Sequence, residues 1–238
     1  MPGRKLTIGC LFFLWALWPV FPVLAKMPDD PEVKQWAYQD IKVYEAWNYF
    51  TGSRKAVVAI IDNGFDTYHP DLLANVWQNE GELPRNGLDD DQNGYIDDVN
   101  GWNFFENNND PRPKVDKMNE WEKADGVFNH ATLVAGLIGA VGDNNLGMAG
   151  INWRVKLMNL KVIASGGEGD FEFLPRAIRY AVDNGAQIIN ISLVGTDTAE
   201  AHQQVKEAIK YAYKKGVAIF AAAGNNMESL ADYSHYPI

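Results

Sequence analysis

The chain has 238 residues, of which 47% are hydrophobic and 22% are charged. This length suits one α/β domain or two small ones, and the apolar fraction is enough for a packed core. The formal net charge of −10 argues against a nucleic-acid-binding surface and suits a soluble protein that binds cations.

Residues 1–25 have the pattern of a targeting segment. Two basic residues precede an apolar run over residues 6–24, and Val23-Leu24-Ala25 offers a cleavage site beside a small residue. We therefore predict a signal peptide and a secreted or periplasmic protein. The run is also long enough for the alternative of an uncleaved membrane anchor. The single cysteine, Cys10, lies in this segment, so the processed chain would contain no disulfide.

Residues 26–55 predict an N-terminal arm with one or two short helices, and the main domain is predicted over residues 56–238. The domain opens with six apolar residues, 56–61, which favour a strand buried on both faces of a parallel sheet. Asp62 ends this run and is followed by Asn63 and Gly64. A carboxylate at the end of a buried strand must be paired, and functional sites assemble at that end of such sheets. The alternative is a strand that simply stops at a turn.

An acidic, turn-rich loop follows at residues 89–98. Its oxygen-bearing side chains alternate, and a glycine stands at the sixth place, as in calcium-binding loops. The ligands predicted from this pattern are the side chains of Asp89, Asp91, Asn93 and Asp97 and the carbonyl oxygen of Tyr95. The twelfth place lacks glutamate and no helix pattern flanks the loop, so it is not a standard EF-hand. The alternative is a solvated acidic turn without an ion. The next segment, residues 106–126, has the composition of a mobile surface loop.

A helix is expected after Asn129, which can act as its N-cap. His130 then lies in the first turn, and the helical spacing predicts a buried face formed by Val134, Leu137, Ile138 and Val141. A lone histidine in such a place is usually structural, so its importance depends on whether Asp62 lies nearby.

The remainder alternates strands and helices. Strands are predicted at residues 155–163, 186–193 and 217–223, with helices over residues 171–184 and 198–215. This alternation predicts an α/β fold with a mostly parallel sheet flanked by helices in three layers. Asp62, Ser192 and Asn225 all fall at or just after the carboxyl ends of predicted strands.

Four segments in order resemble the subtilisin-like serine peptidases (subtilases). They are AVVAIIDNGFDTYHPDL, NHATLVAGLIGA, IINISL and AIFAAAGNN. The resemblance runs from about residue 31 to the end of the sequence, and it implies the subtilisin-like fold and a serine endopeptidase activity. It also implies roles for Asp62 and His130 in the catalytic triad and for Asn225 in the oxyanion hole.

The same resemblance implies how a protein or peptide substrate would bind. The backbone of Ser192, Leu193 and Val194 would pair with the substrate chain on one side, and the segment containing Gly167 and Gly169 would pair with it on the other. Recognition would then rest mainly on main-chain hydrogen bonds. The net charge argues against a nucleic-acid partner, and the sequence does not indicate an oligomeric state.

The sequence departs from the family pattern at several places. Ala131 replaces a glycine after the histidine, Leu133 stands where a second histidine is common, and Val194 replaces a glycine. The family's Gly-Thr-Ser-Met-Ala segment, which carries the nucleophile, is absent from the 238 residues. We therefore expect a subtilase domain that is incomplete at its C-terminus and inactive alone. The alternative is a non-catalytic secreted module that binds calcium and peptides.

Overall fold

The computed structural model describes residues 26–169, 171–193 and 199–225. The predicted signal segment at residues 1–25, residues 226–238 and Val194, which was predicted to bind substrate, lie outside these ranges. For the described residues, the prediction of an α/β fold with a parallel sheet is confirmed.

A five-stranded sheet forms the centre of the fold, and all of its strand pairs are parallel. The strand order is β2-β3-β1-β4-β5, so the first strand in the chain lies in the middle of the sheet. The strands are β1 (Gly52–Asp62), β2 (Gly101–Asn103), β3 (Arg154–Lys161), β4 (Ile188–Ile191) and β5 (Ala218–Ala221).

Strand β1 contributes to two separate cores. Val57, Ala59 and Ile61 face one core, whereas Val58 and Ile60 face the other. Successive side chains of a strand point to opposite faces of the sheet, so an uninterrupted apolar run is what a strand covered on both faces requires. The two cores lie on opposite faces of the sheet and give the fold its three layers.

Helices cover both faces of the sheet. Helices α5 and α6 pack in the core that contains Ile61, and α4 packs in the core that contains Ile60. The helices are α1 (Trp36–Asp40), α2 (Val43–Ala46), α3 (Glu120–Asp125), α4 (His130–Gly139), α5 (Leu174–Asp183) and α6 (Ala199–Lys214). Among the described residues, no helix combines the length and the apolar character that crossing a bilayer requires.

The buried face of α4 differs from the predicted one. The helix buries Ala131, Ala135, Gly136 and Gly139, and the side chain of Leu137 is 46% exposed. Val134 and Ile138 are half-buried at the edge of the contact. The prediction of an inward Leu137 was wrong because hydrophobic spacing gives little weight to glycine and alanine, which allow a helix to approach a sheet closely.

The predicted N-terminal arm folds into two short helices, α1 and α2. Tyr38, Val43 and Trp47 are buried against Ala149 and Trp153, and the indole N–H of Trp47 donates to the carbonyl of Ile151 at 2.9 Å. Tyr38 and Trp47 meet edge to face. The arm therefore packs on the loop that follows α4 and helps to hold that helix in place.

The close approach of α4 to the sheet gives a first testable prediction. A Cβ atom at Gly139 would lie 2.3 Å from Val155 Cγ1, whereas a Cβ atom at Gly136 would meet nothing nearer than the Met148 sulfur, at 3.7 Å. We expect Gly139→Ala to lower the free energy of unfolding by about 1–3 kcal/mol through overpacking. Gly136→Ala should instead be neutral or stabilising by up to about 1 kcal/mol, since alanine favours the helix.

Urea denaturation of the two variants measures this difference. Each variant adds one methyl group to the same helix, so each serves as the control for the other. Equal changes in stability would show that the close approach at Gly139 does not limit packing.

Candidate active site

Asp62 is held at the carboxyl end of β1 with its side chain only 1% exposed. The backbone N–H of Asn63 donates to Asp62 Oδ1 at 2.7 Å. Burying a carboxylate costs free energy unless hydrogen bonds or opposite charge compensate it. The strand end therefore requires further donors, and these come from α4.

His130 begins α4 and faces Asp62. Its Nδ1 lies 3.0 Å from Oδ1 and 2.9 Å from Oδ2, and Oδ1 is the well-directed acceptor because Oδ2 lacks a donor at a favourable angle. The imidazole is 44% exposed, whereas the carboxylate is buried. The structure thus brings these two predicted residues into direct contact, and almost half of the imidazole surface stays exposed to solvent.

The contact affects the protonation of the imidazole. The hydrogen bond with Asp62 raises the pKa of His130 above its ordinary value, although partial burial of the ring opposes this. A carboxylate that accepts from Nδ1–H selects the tautomer in which Nε2 carries a lone pair. The arrangement therefore provides an oriented base of increased proton affinity.

A cleft of about 510 Å³ opens beside the histidine. Asn129 and Thr132, on either side of His130 in the sequence, line it, and so do Arg112 and Lys114 from the segment before α3. The two basic side chains both pair with Asp110 and hold the pKa of that carboxyl at about 2 although burial opposes this. The cleft presents both polar and apolar groups and is large enough for a peptide side chain.

The predicted oxyanion residue, Asn225, lies on the same edge of the sheet. It follows β5 and is exposed, and β4 alone separates its strand from β1. Because neighbouring strands are about 4.8 Å apart, two steps place it roughly 10 Å from the β1 axis. Asp62 and Asn225 therefore both follow carboxyl ends of strands in the same parallel sheet.

The predicted substrate-binding segments take two different forms. Ser192 and Leu193 follow β4 directly; the Leu193 side chain is 8% exposed, and the Ser192 hydroxyl accepts from Asn190 Nδ2 at 2.9 Å. Gly167 and Gly169 do not lie on a strand. Their segment is a turn in which Ala164 N–H donates to the Glu168 carbonyl at 2.8 Å, and Gly167 has a left-handed φ of 94°. The expected second strand edge is therefore replaced by a turn in this structure.

The acidic loop is organised differently from the predicted ligand set. Asp89 accepts from the N–H groups of Asn93 and Gly94 at 3.0 and 2.9 Å. Asp97 accepts from the N–H groups of Asn86 and Gly87 at 3.0 and 2.9 Å. Both carboxylates thus stabilise tight turns of the loop. Of the predicted side-chain ligands, Asp91 is the one that joins an acidic cluster.

That cluster consists of Glu82, Asp91 and Asp98, whose ligand oxygens lie within 4.8 Å of one another. Asp98 is fully buried, and burial raises the pKa of its carboxyl. Asn79 Nδ2 bridges Asp91 and Asp98 at 2.9 and 2.8 Å, and the Tyr180 hydroxyl of α5 donates to Asp98. Among the described residues, no lysine or arginine forms an ion pair with this cluster. Three neighbouring carboxylates that accept hydrogen bonds but pair with no basic side chain fit a hard cation such as Ca²⁺.

Asp30 is a second buried acid, and one of its carboxylate oxygens has no partner among the described residues. Asp30 Oδ1 has no hydrogen-bond partner within the described ranges, while its Oδ2 accepts from the Asp143 N–H at 2.7 Å. Burial, together with the nearby charge of Asp71, raises the pKa of Asp30. The sequence analysis did not predict that Asp30 and Asp71 lie near each other. Asp30 belongs to an acidic dipeptide in the arm, and Asp71 lies far from it in the sequence.

The comparisons with known proteins agree with the geometry. Residues 53–237 match the model of the subtilase family, Peptidase_S8. Thermitase from Thermoactinomyces vulgaris is 30% identical over 211 residues, which cover 88% of this chain and 62% of thermitase. The thermophilic serine proteinase from Bacillus sp. (strain AK1) is 30% identical over 204 residues, which cover 85% of this chain and 41% of that protein.

A solved structure of a peptidase has a similar fold. The crystal structure of a lanthipeptide protease superimposes with a TM-score of 0.52 and 26% identity, covering 79% of this chain and 45% of that one. The chain spans less than two thirds of the length of these relatives. The family match covers most of the sequence and includes both members of the buried Asp–His contact. This chain therefore belongs to the subtilase family of serine peptidases.

Proposed function

We propose that this chain provides the Asp–His half of a serine endopeptidase that acts on protein or peptide substrates. The observation that carries the proposal is the contact between the buried Asp62 carboxylate and His130 Nδ1, in an imidazole whose side chain is 44% exposed. An ordinary structural histidine would be buried, with both ring nitrogens occupied.

Each residue then has a chemical role. A serine hydroxyl attacks the scissile carbonyl while His130 Nε2 takes its proton and later returns it to the leaving amine. Asp62 holds the imidazole tautomer and stabilises the imidazolium ion as it forms. Asn225 donates from its amide to the oxyanion, and the backbone after β4, at Ser192 and Leu193, holds the peptide chain.

The nucleophile is the component for which the described residues offer no candidate. Ser165 is 8% exposed and its hydroxyl accepts from the Lys114 N–H at 2.8 Å, and Ser192 is bonded to Asn190. No serine among the 238 residues stands in a Gly-Thr-Ser-Met-Ala context. We therefore propose that a segment beyond these residues supplies the serine and that the 238 residues alone are inactive.

The remaining features of the proposal concern location and metal. The segment at residues 1–25 supports export, and we propose a secreted or periplasmic enzyme with no membrane contact beyond that segment. We also propose a structural calcium ion that is held by Glu82, Asp91 and Asp98. The ion would neutralise the acidic cluster and fix the loop that Tyr180 joins to α5.

The activity is tested on the full-length protein with casein and a fluorophosphonate probe. We expect serine-dependent cleavage, and His130→Ala should reduce it by up to roughly a million-fold because the serine loses its base. The matched control is His69→Ala, since His69 lines the neighbouring cleft and its Nδ1 accepts from the Asp71 N–H. Equal losses in both variants would refute the assigned role of His130.

The polypeptide of residues 26–238 alone should neither bind the probe nor cleave casein faster than buffer. Labelling of this polypeptide would place the nucleophile among its own serines. A full-length protein that binds peptides without cleaving them would favour the non-catalytic module instead.

The raised pKa of His130 gives a prediction about pH. The base must be neutral to accept a proton, so kcat/KM should fall as the pH falls through the pKa of His130. Asp62→Asn removes the charge that raises this pKa, so the acidic limb should move to lower pH, with turnover lowered about 10⁴-fold. A pH profile combined with an NMR titration of the imidazole measures both effects. An unchanged pKa in the variant would exclude Asp62 as its cause.

The calcium proposal is tested by calorimetry on metal-free protein. Calcium should bind with measurable heat and raise the melting temperature, because an ion that binds only the folded state stabilises it. Asp91→Asn should weaken binding, whereas Asp116→Asn should not, because Asp116 is an exposed acid outside the cluster. Binding that survives in Asp91→Asn would place the ion elsewhere, for example at Asp30 and Asp71.

A further inference from the structure

Asn63, directly after the buried aspartate, uses its side chain to join three segments. It is 1% exposed. Its Nδ2 donates to the carbonyls of Val127 at 2.8 Å and Ser165 at 3.1 Å, and its Oδ1 accepts from the backbone N–H of Ala131 at 3.2 Å. Both amide donors and the carbonyl oxygen are thus engaged.

The bond to Ala131 replaces a missing helix cap. The first N–H groups of a helix have no partner within the helix, and a side chain at the N-cap usually accepts from the second or third of them. Asn129 occupies the N-cap of α4 but makes no such bond, contrary to the sequence-based prediction. Asn63 Oδ1 caps the helix instead, from the end of β1, at the residue next to His130.

The two hydrogen bonds that Asn63 Nδ2 donates hold the segments next to His130 in place. Val127 belongs to the short 3-10 turn that leads into α4, and Ser165 lies in the turn that follows β3. One buried amide therefore connects the strand that carries Asp62, the start of the helix that carries His130, and the turn before Gly167. Segment 106–126, expected to be a mobile loop, contains α3 and leads directly into this connection.

A buried lysine holds the backbone of Asn63. Lys161 is 1% exposed, and its ammonium donates to the Asn63 carbonyl at 2.6 Å and to the Ser165 hydroxyl at 3.3 Å. Burial lowers the pKa of Lys161 to about 8, and the nearby charged groups are Glu106, Lys114, Asp62 and Asp110. Asp62 and Lys161 are also paired residues of β1 and β3. The turn at Asn63 is therefore fixed from both its side chain and its main chain.

We propose that Asn63 is a positioning residue for the catalytic pair: by capping α4 from the end of β1, it sets the distance and orientation of His130 relative to Asp62. This inference rests on the proposed peptidase function for its biological meaning. Its structural content, the dependence of the Asp–His contact on the Asn63 amide, is measurable without any peptidase activity.

The test is NMR of the imidazole in the full-length protein. In Asn63→Ala the cap and both anchoring bonds are lost. The Nδ1–H resonance of the Asp–His hydrogen bond should then disappear, and the pKa of His130 should fall toward its ordinary value. Where activity is measurable, kcat should fall more than KM rises, because the base rather than the peptide-binding surface is displaced.

Asn75→Ala is the matched control. Asn75 is also 1% exposed, and its Nδ2 donates to Gly139 at the other end of α4 and to Trp153, at 2.9 and 3.0 Å. This variant should lower the melting temperature while the pKa and the Nδ1–H resonance of His130 stay unchanged. If Asn63→Ala behaves in the same way, Asn63 is only a structural residue and the proposal fails.

Asn63→Asp covers the case in which the alanine variant does not fold. Its Oδ1 can still accept from the Ala131 N–H, whereas the two bonds that the Asn63 amide donates are lost, so the Nδ1–H resonance should persist if the cap sets the contact. Loss of that resonance in a folded Asn63→Asp protein would contradict the assigned cap. Absence of peptidase activity in the full-length wild type, with the imidazole signals as expected, would refute the proposed function and leave the positioning role intact.

Discussion

The free-energy cost of burying the Asp62 carboxylate is the constraint on which this end of the sheet depends. A charge at the end of a strand covered on both faces must be compensated locally, and the N–H of Asn63 and the imidazole of His130 provide the compensation. The imidazole can reach the carboxylate only if α4 begins directly above the strand end. The position of a whole helix is therefore tied to one side chain.

The rest of the fold makes this placement possible. Glycine and alanine on the buried face of α4 bring the helix close to β1 and β3, and the aromatic arm packs on the loop behind it. Buried polar groups then fix what apolar packing leaves free. Hydrophobic burial supplies most of the driving force without direction, whereas the hydrogen bonds of Asn63 and Lys161 specify orientation. The relative position of Asp62 and His130 is well defined because apolar packing and hydrogen bonds act on the same short segments.

Sequence patterns were informative where the determinant is local. An apolar run predicts β1, and the end of that run gives the position of Asp62. Helical spacing puts His130 in the first turn of a helix. Parallel topology then predicts that Asp62 and Asn225 follow strands at the same edge of the sheet. Patterns were uninformative where the determinant is a distant partner. The acidic loop turns through left-handed residues such as Gln92 and Asp97, which direct some carboxylates to the backbone, and Glu82 and Asp98 join Asp91 from outside the repeating pattern. Likewise, nothing near Asn129 signals that Asn63 takes over its capping role.

The central position of β1 also affects how the protein folds. The first strand of the sheet pairs on both sides with strands that come much later in the chain, Val57 beside Lys156 and Val58 beside Ile188. Long loops must therefore close before these pairings form, and such topologies fold slowly. Until β3 and β4 arrive, the apolar run of β1 has no sheet partner and is prone to self-association. We therefore expect the Asp–His contact to form late in folding, limited by the ordering of distant segments rather than by the chemistry of the two side chains.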